Sequence, residues 1–301
     1  MAADQQDALN GVPIHESLSW WRSEPGGVEW LERLPGLVRE CAEHWSLVLG
    51  EPYESHTSWV APAKRADGSH AVLKLNYPDP DTEHEAAALA GWNGIGAVRL
   101  LEQDPARRAL LVERCEPGTQ LWAVADDDEA TRIGGGVLRR LWRPPDEGPY
   151  RTLAGEAARW AEELPVRWES RGRPFERRLV DEVIAWIREL APSQPELVVA
   201  HQDLHGGNVL RSTREPWLAI DAKPLLAERA FDTASLVRDR RPQLLREAHP
   251  ERRLRRRLDL LSAELDLDRE RMRGWGIVHA IAWNGDEAMI ACARWLSSLR
   301  P

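Results

Sequence analysis

The residues best suited to chemistry lie in VVAHQDLHGGNVL at 198–210, followed by WLAID at 217–221. Their spacing is His-x-Asp-x-x-x-x-Asn, then an apolar run closing on a second Asp. Phosphoryl transfer asks for little covalent help from a protein; it needs a carboxylate to orient the attacking hydroxyl, oxygen ligands for Mg2+, and cations to hold phosphate. Asp203 fits the first task, as catalytic base. Asn208 and Asp221 fit the second. His201 is expected to tie the loop to the core, and Gly206–Gly207 to let the backbone turn between base and ligand. Two other readings compete. Asp and Asn in a Gly-rich turn often only bond nearby backbone, and His201, Asp203 and His205 could be the metal ligands of a hydrolase. The complete pattern, joined to an upstream Val-Leu-Lys, favours phosphoryl transfer.

That upstream lysine is Lys74 in AVLKL at 71–75. Strand alternation puts Lys74 on the side of Val72 and opposite Ala71, Leu73 and Leu75, where it can clamp nucleotide phosphates. Its expected partner is Glu85, which shares a helical face with Leu89 and Trp92; Glu83 is the second choice. Thr82-x-x-Glu85 is equally the pattern of a capping box, in which Glu85 would only satisfy a helix end. The loop GEPYESHTSWVAP has one glycine, Gly50, so a Ser/Thr-rich stretch through Ser55, Thr57 and Ser58 would have to cover the phosphates.

The elements needed to position these groups follow from periodicity. WLERLPGLVRECAEHW at 30–45 is predicted as two short helices split by Pro35. Strands are predicted at 46–50, 58–63 and 71–75, a helix at 82–92, then strands over AVRLLEQ and RALLVER. Five strands with one helix after the third is the order of a kinase N-lobe. EPG at 116–118 is expected to be a linker. Helices are predicted near 127–142, 152–168, 174–191, 231–240, 250–265 and 268–298, with strands around 197–200, 208–211 and 217–220. The expected fold is α+β and bilobal, protein-kinase-like: a nucleotide-binding lobe over 1–114 with a five-stranded antiparallel sheet and one helix, and a mainly helical catalytic and acceptor-binding lobe over 115–301.

Bulk properties narrow the class. The 301 residues carry a formal charge of −9, with 43% hydrophobic and 30% charged residues, an ordinary globular composition. An acidic balance argues against a general nucleic-acid binder and is compatible with a cationic small molecule. Arginines in ERRLRRRLDLL at 251–261 read as a solvated face over a leucine stripe, and Asp126–Glu129 as a helix cap. Cys41, Cys115 and Cys292 make neither a disulfide framework nor a thiolate zinc site. MAADQQDALN lacks the pattern of a secretory leader, and no run is long enough to span a bilayer, so a cytoplasmic protein with no membrane partner is expected. Fifteen Trp against two Phe and three Tyr are expected mostly as core.

The chain resembles the streptomycin 6-kinase and hydroxyurea phosphotransferase family of the aminoglycoside phosphotransferase group. The resemblance rests on WLERLP, ADGSHAVLKL, AVRLLEQD, LLVERCEPG and HQDLHGGNVL, and most specifically on REPWLAIDAKPL. It implies ATP or GTP as donor, Mg2+, and phosphorylation of a hydroxyl on an aminoglycoside-like antibiotic. It also implies a hinge at Val112–Cys115, with Glu113 offering its carbonyl and Cys115 its N–H to the purine. Asp232 of Phe231-Asp232 would bond backbone near the catalytic loop. Lys223 would either touch phosphate or acceptor or make a surface salt bridge. A protein kinase fits less well: His205 stands where its lysine is expected, and little room separates Asp221 from Phe231. For the acceptor, Trp275, His279, Trp283 and Asp286 recur at helical spacing; the stripe reads either as core packing or as recognition, with Asn284, Asp286 and Trp283 as the recognising end. A kinase of a sugar or other metabolite, and a nucleotide-binding pseudokinase, are the remaining alternatives.

Overall fold

A computed structural model of the chain describes residues 11–145 and 148–299; the MAADQQDALN segment lies outside them. The chain divides into two units, Met1–Gly94 with Val98–Cys115, and Ile95–Ala97 with Glu116–Pro301.

The first unit is built on an antiparallel sheet of order β1-β2-β3-β5-β4, from β1 (Val48–Leu49), β2 (Ser58–Lys64), β3 (His70–Asn76), β4 (Leu100–Asp104) and β5 (Ala109–Glu113). Period-two alternation sets its faces. Trp59, Ala61, Ala63, Ala71, Leu73, Leu75, Ala109 and Leu111 share one core with Leu34, Val38 and Cys41 of helix α1 (Gly27–His44). Lys74, opposite Val60 and Leu110 in register, faces the other way. Helix α2 (Glu85–Trp92) follows the third strand, as expected. Pro35 does not split α1, contrary to the sequence expectation. The lost N–H and the ring clash cost about 3 kcal/mol, but Trp30, Leu31, Leu34, Val38 and Cys41 form one buried stripe across the proline. Each such side chain contributes about 1.5–3 kcal/mol when buried, so packing wins over the local break.

The second unit is mainly helical. EPG is not a free linker: β6 (Pro117–Gln120) joins β8 (Val209–Ser212) and β9 (Trp217–Ala219) in a three-stranded sheet, while β7 (Leu197–Ala200) pairs with β10 (Leu225–Glu228). Helices α3 (Asp127–Leu141), α4 (Leu153–Ser170) and α5 (Arg177–Leu190) keep their predicted places. The helix predicted at 231–240 is instead α6 (Arg229–Asp232) and α7 (Ala234–Val237), followed by α8 (Arg241–Leu244). Arg240 in the left-handed region, φ 56°, separates α7 from α8, and Pro242 then starts the new turn.

The continuous helix predicted over 268–298 is also broken. After α9 (Pro250–Leu265) come α10 (Arg269–Val278), a π-helical turn His279–Asn284, and α11 (Glu287–Ser298). Gly285 takes φ 68°, a cheap conformation without a Cβ, and Asp286 opens α11 by accepting from Met289 N at 2.7 Å. The arginine run on α9 is not wholly solvated. Arg257 is buried and bonds Asp127 on α3, while Arg256 bonds Asp128; Asp126 caps α3 through Glu129 N. The two charged runs therefore join helices to each other. Cys41, Cys115 and Cys292 are free and buried. No helix among the described residues is long and apolar enough to cross a membrane.

Candidate active site

In the first unit Lys74 sits on β3, 7% exposed, with Nζ 2.6 and 2.7 Å from the two carboxylate oxygens of Glu85. Glu85 is the first residue of α2 and its carboxylate is spent on Lys74; Thr82 Oγ1 instead lies 3.2 Å from Tyr77 O, so no capping box forms. Glu83 is exposed. Asn76, two residues past Lys74 on the same face, donates from Nδ2 to Glu85 Oε2 at 2.8 Å. Ser58 is no loop residue: it begins β2, is wholly buried, and donates its hydroxyl to Asn76 Oδ1 at 2.7 Å. The expectation that Ser58 covers phosphate is therefore corrected. Its hydroxyl sets which end of the Asn76 amide meets Glu85, and Glu85 in turn fixes Lys74. A buried charge pair survives only when its remaining hydrogen bonds are satisfied in this way. Glu113 closes β5 and donates its N–H to Arg99 O at 2.9 Å; Cys115, two residues on, is buried.

In the second unit the segment between β7 and β8 is a short loop held at every turn. His201 is fully buried and its Nε2 lies 2.9 Å from Ile220 O. Burial holds its pKa down to about 3, so the ring is neutral and Nε2 donates. Gln202 takes φ 67°, a strained value for a non-glycine. It is held there by Asp232, whose Oδ1 accepts Gln202 N at 2.7 Å while Oδ2 accepts Trp142 Nε1 at 2.8 Å. Asp203 follows, partly buried; desolvation pushes its carboxyl upward, Asp221 adds to the rise, and His205 and Lys223 oppose it. A carboxylate made more basic in this manner is a better proton acceptor.

Past Asp203 the loop is pinned by residues that sequence reading missed. Trp122 stacks on the His205 ring with centroids 5.3 Å apart and planes at 9°. Asp239 accepts Trp122 Nε1 at 2.7 Å and Gly206 N at 2.9 Å. Gly207 N donates to His205 Nδ1 at 3.0 Å, which leaves the ring proton on Nε2; that nitrogen lies 4.0 Å from Asp203 Oδ2. Gly206 and Gly207 are not left-handed. They are glycines because Trp122 packs against them: a Cβ on Gly206 would lie 2.4 Å from Trp122 Cδ1, and one on Gly207 would lie 2.7 Å from Cη2. No local signal connects Trp122 or Asp239 to a loop so far along the chain. Asn76, by contrast, follows from strand alternation beside Lys74.

Asn208 Nδ2 donates to Asp203 O at 3.0 Å, which presents the carbonyl end of the amide as its ligand end. Ile220 N donates to Asn208 O at 3.0 Å, and Asp221 is the next residue along the chain. An amide oxygen and a carboxylate are donors of the hard kind that Mg2+ prefers, so these two residues fit that ion. Lys223 is 4% exposed and its Nζ lies 2.7 Å from Asp221 Oδ1, so the expected surface salt bridge is instead a partly buried one. No group of three or more His, Cys, Asp or Glu among the described residues is arranged as a metal cage; His201 Nε2 is engaged by Ile220 O and His205 Nδ1 by Gly207 N, which speaks against the hydrolase reading of His201, Asp203 and His205.

The acceptor stripe resolves differently. Trp275 and His279 are fully buried; Trp275 Nε1 donates to Glu228 at 2.6 Å, and His279 Nδ1 lies 2.6 Å from Arg238 Nη2. Burial, reinforced by Arg238, holds His279 well below its ordinary pKa, so it accepts from Arg238 as a neutral ring. Trp283 is partly buried against His279, centroids 4.4 Å apart. Asp286 is exposed and caps its helix through Oδ1, a structural use beside the expected acceptor role. The side chain of Asn284 lies outside the described residues.

Residues 44–289 match the family described as aminoglycoside/hydroxyurea antibiotic resistance kinase. A streptomycin 6-kinase of Streptomyces glaucescens is 38% identical, covering 83% of this chain and 81% of that protein. A hydroxyurea phosphotransferase of Kitasatospora aureofaciens is 38% identical, covering 88% and 77%. Among solved structures, a choline kinase from Streptococcus pneumoniae superposes with a TM-score of 0.64 at 13% identity, covering 89% of this chain and 100% of the other; that likeness speaks for the protein-kinase-like fold.

Proposed function

We infer the activity from family and site together: the chain belongs to the aminoglycoside/hydroxyurea antibiotic resistance kinase family, and is a phosphotransferase acting on an alcohol group. The proposed reaction moves the γ-phosphate of ATP to a hydroxyl of an aminoglycoside-like antibiotic such as streptomycin, in the cytoplasm where ATP is abundant. Asp203 accepts the proton of that hydroxyl as its oxygen bonds to phosphorus; the β–γ bridging bond breaks and ADP leaves. Lys74, oriented by Glu85 and Asn76, binds nucleotide phosphate. Glu113 and Cys115 are assigned to the purine through backbone groups. Asn208 and Asp221 would hold Mg2+, which when bound spreads the charge of the phosphates. Lys223, bonded to Asp221, is assigned to the phosphate side rather than to the acceptor.

The observation that carries this reading is the Asn208 amide bonded to the carbonyl of Asp203: it couples the base to the ligand residue and gives the loop one working shape. The test is ADP release, coupled to a reporter, with streptomycin, hydroxyurea and simple sugars as acceptors. Turnover with streptomycin that disappears in Asp203→Asn is expected. Turnover with sugars alone would move the acceptor to a metabolite, and no ADP release with any acceptor would refute the reading.

A further inference from the structure

The loop between β1 and β2 lacks the glycine hairpin that usually stiffens a phosphate-covering loop, and β1 has only two residues to tether it. It is held from outside the sheet. The 3-10 helix Glu16–Ser23 sends three side chains to three successive carbonyls: Ser17 Oγ donates to Ser55 O at 2.6 Å, Trp20 Nε1 to His56 O at 2.5 Å, and Trp21 Nε1 to Thr57 O at 3.2 Å. That helix is anchored in turn. Trp21 stacks on Tyr77 with centroids 3.8 Å apart, Trp20 stacks on Trp21 at 4.0 Å, and Trp30 of α1 meets Trp21 and Tyr77 edge-on. Trp59 Nε1 donates to Pro13 O at 2.9 Å.

The ends of the loop are closed by Gly50 N to Pro62 O and Tyr53 N to Val60 O, both 2.8 Å. Between them the N–H groups of Glu54, Ser55, His56 and Thr57 carry no hydrogen bond among the described residues. With the carbonyls of 55–57 taken by the helix, the backbone offers only donors over this stretch. A run of unpaired N–H groups is an anion-binding concavity. Glu51 and Glu54 are exposed carboxylates on the same loop, so a bare polyanion meets more repulsion than a polyphosphate whose charge is partly neutralised by a divalent cation.

We propose that the 3-10 helix is a strap that presents the N–H groups of Glu54–Thr57 to the metal-complexed polyphosphate of the nucleotide, with Ser17, Trp20 and Trp21 as positioning residues. The proposal rests on the phosphotransferase reading above and adds to it a segment outside the predicted motifs. It also accounts for two of the fifteen tryptophans by their indole N–H rather than by their bulk.

The test is the full chain carrying Ser17→Ala, Trp20→Phe and Trp21→Phe, which keeps the ring stacks and removes the three donors. With the three donors gone the loop loses its fixed shape, and affinity for Mg·ATP is expected to fall about tenfold or more. Affinity for adenosine and the acceptor KM should hold. In the parent chain, amide hydrogen exchange at Glu54–Thr57 should slow when magnesium tripolyphosphate is added. An unchanged affinity for Mg·ATP in the triple variant, an equal loss for adenosine, or exchange that tripolyphosphate does not slow would each overturn the strap. A parent chain that binds no Mg·ATP would overturn the phosphotransferase reading and the strap with it.

Discussion

Replacing Gly206 by alanine tests how the catalytic loop is held. The new Cβ would lie 2.4 Å from Trp122 Cδ1 and 2.8 Å from both Trp122 Nε1 and Asp239 Oδ2, against about 3.5 Å for an unstrained carbon contact. Trp122 must move, and overpacking of this kind costs about 1–3 kcal/mol. Moving it also stretches the bond from its Nε1 to Asp239, worth about 1.5–3 kcal/mol because the acceptor is charged. The backbone itself does not object: Gly206 is not left-handed, and alanine at such a position gains about 0.4–1 kcal/mol through the unfolded chain. The expected net loss is therefore about 2–5 kcal/mol, read by urea unfolding. Displacement of His205 and Asp203 by about an ångström should lower kcat on the order of a hundredfold. The decisive measurement is the double variant Gly206→Ala with Trp122→Ala, in which the alanine should cost less than about 1 kcal/mol. An equal cost of Gly206→Ala in both backgrounds would refute the idea that Trp122 sets the glycine requirement.

Asp203→Asn should lower kcat on the order of a thousandfold while Mg·ATP affinity, measured by calorimetry, stays within about twofold; a variant with near-parental kcat would remove Asp203 from the reaction. Glu85→Ala leaves the buried ammonium of Lys74 without its carboxylate and should cost about 3–5 kcal/mol of stability, whereas Asn76→Ala should cost about 1.5–3 kcal/mol and raise the nucleotide KM; urea unfolding and initial rates check both. Asp232 gives a pH signature. Burial raises its carboxyl from 3.8 to about 6, so the folded chain binds an extra proton between those values and loses stability as pH rises through 6. Relative to Asp232→Asn, the parent should lose roughly 2–3 kcal/mol between pH 4 and pH 7; a flat difference would show that the carboxyl is not raised.

What was legible in the sequence was what short spacing controls. The order of five strands with one helix follows from period-two runs, Lys74 and Glu85 meet across one strand-to-helix step, and Asn208 bonds Asp203 within one short loop. Failures occurred where distant contacts outweighed local rules. Pro35 stays inside α1 because a stripe on both sides of it is buried. Trp122 and Asp239 reach the loop from far along the chain, beyond any local pattern. Ser58 has the residue type of a phosphate-loop donor, but its hydroxyl is buried at a strand start and spent on Asn76. Trp275 and His279 keep helical spacing up to the π-helical turn, and their spacing alone could not separate core from recognition.

The ion pair between Lys223 and Asp221 bears on the life of the chain before it meets a nucleotide. Folding draws the Asp221 carboxylate toward an interior where an uncompensated charge is costly, and the ammonium at 2.7 Å supplies the compensation from two residues away. Here the counter-charge is carried by the same short segment as the acid, so the carboxylate is compensated by the chain itself. On the proposed role of Asp221 as a Mg2+ ligand, an arriving divalent ion would compete for that carboxylate with a cation already in place.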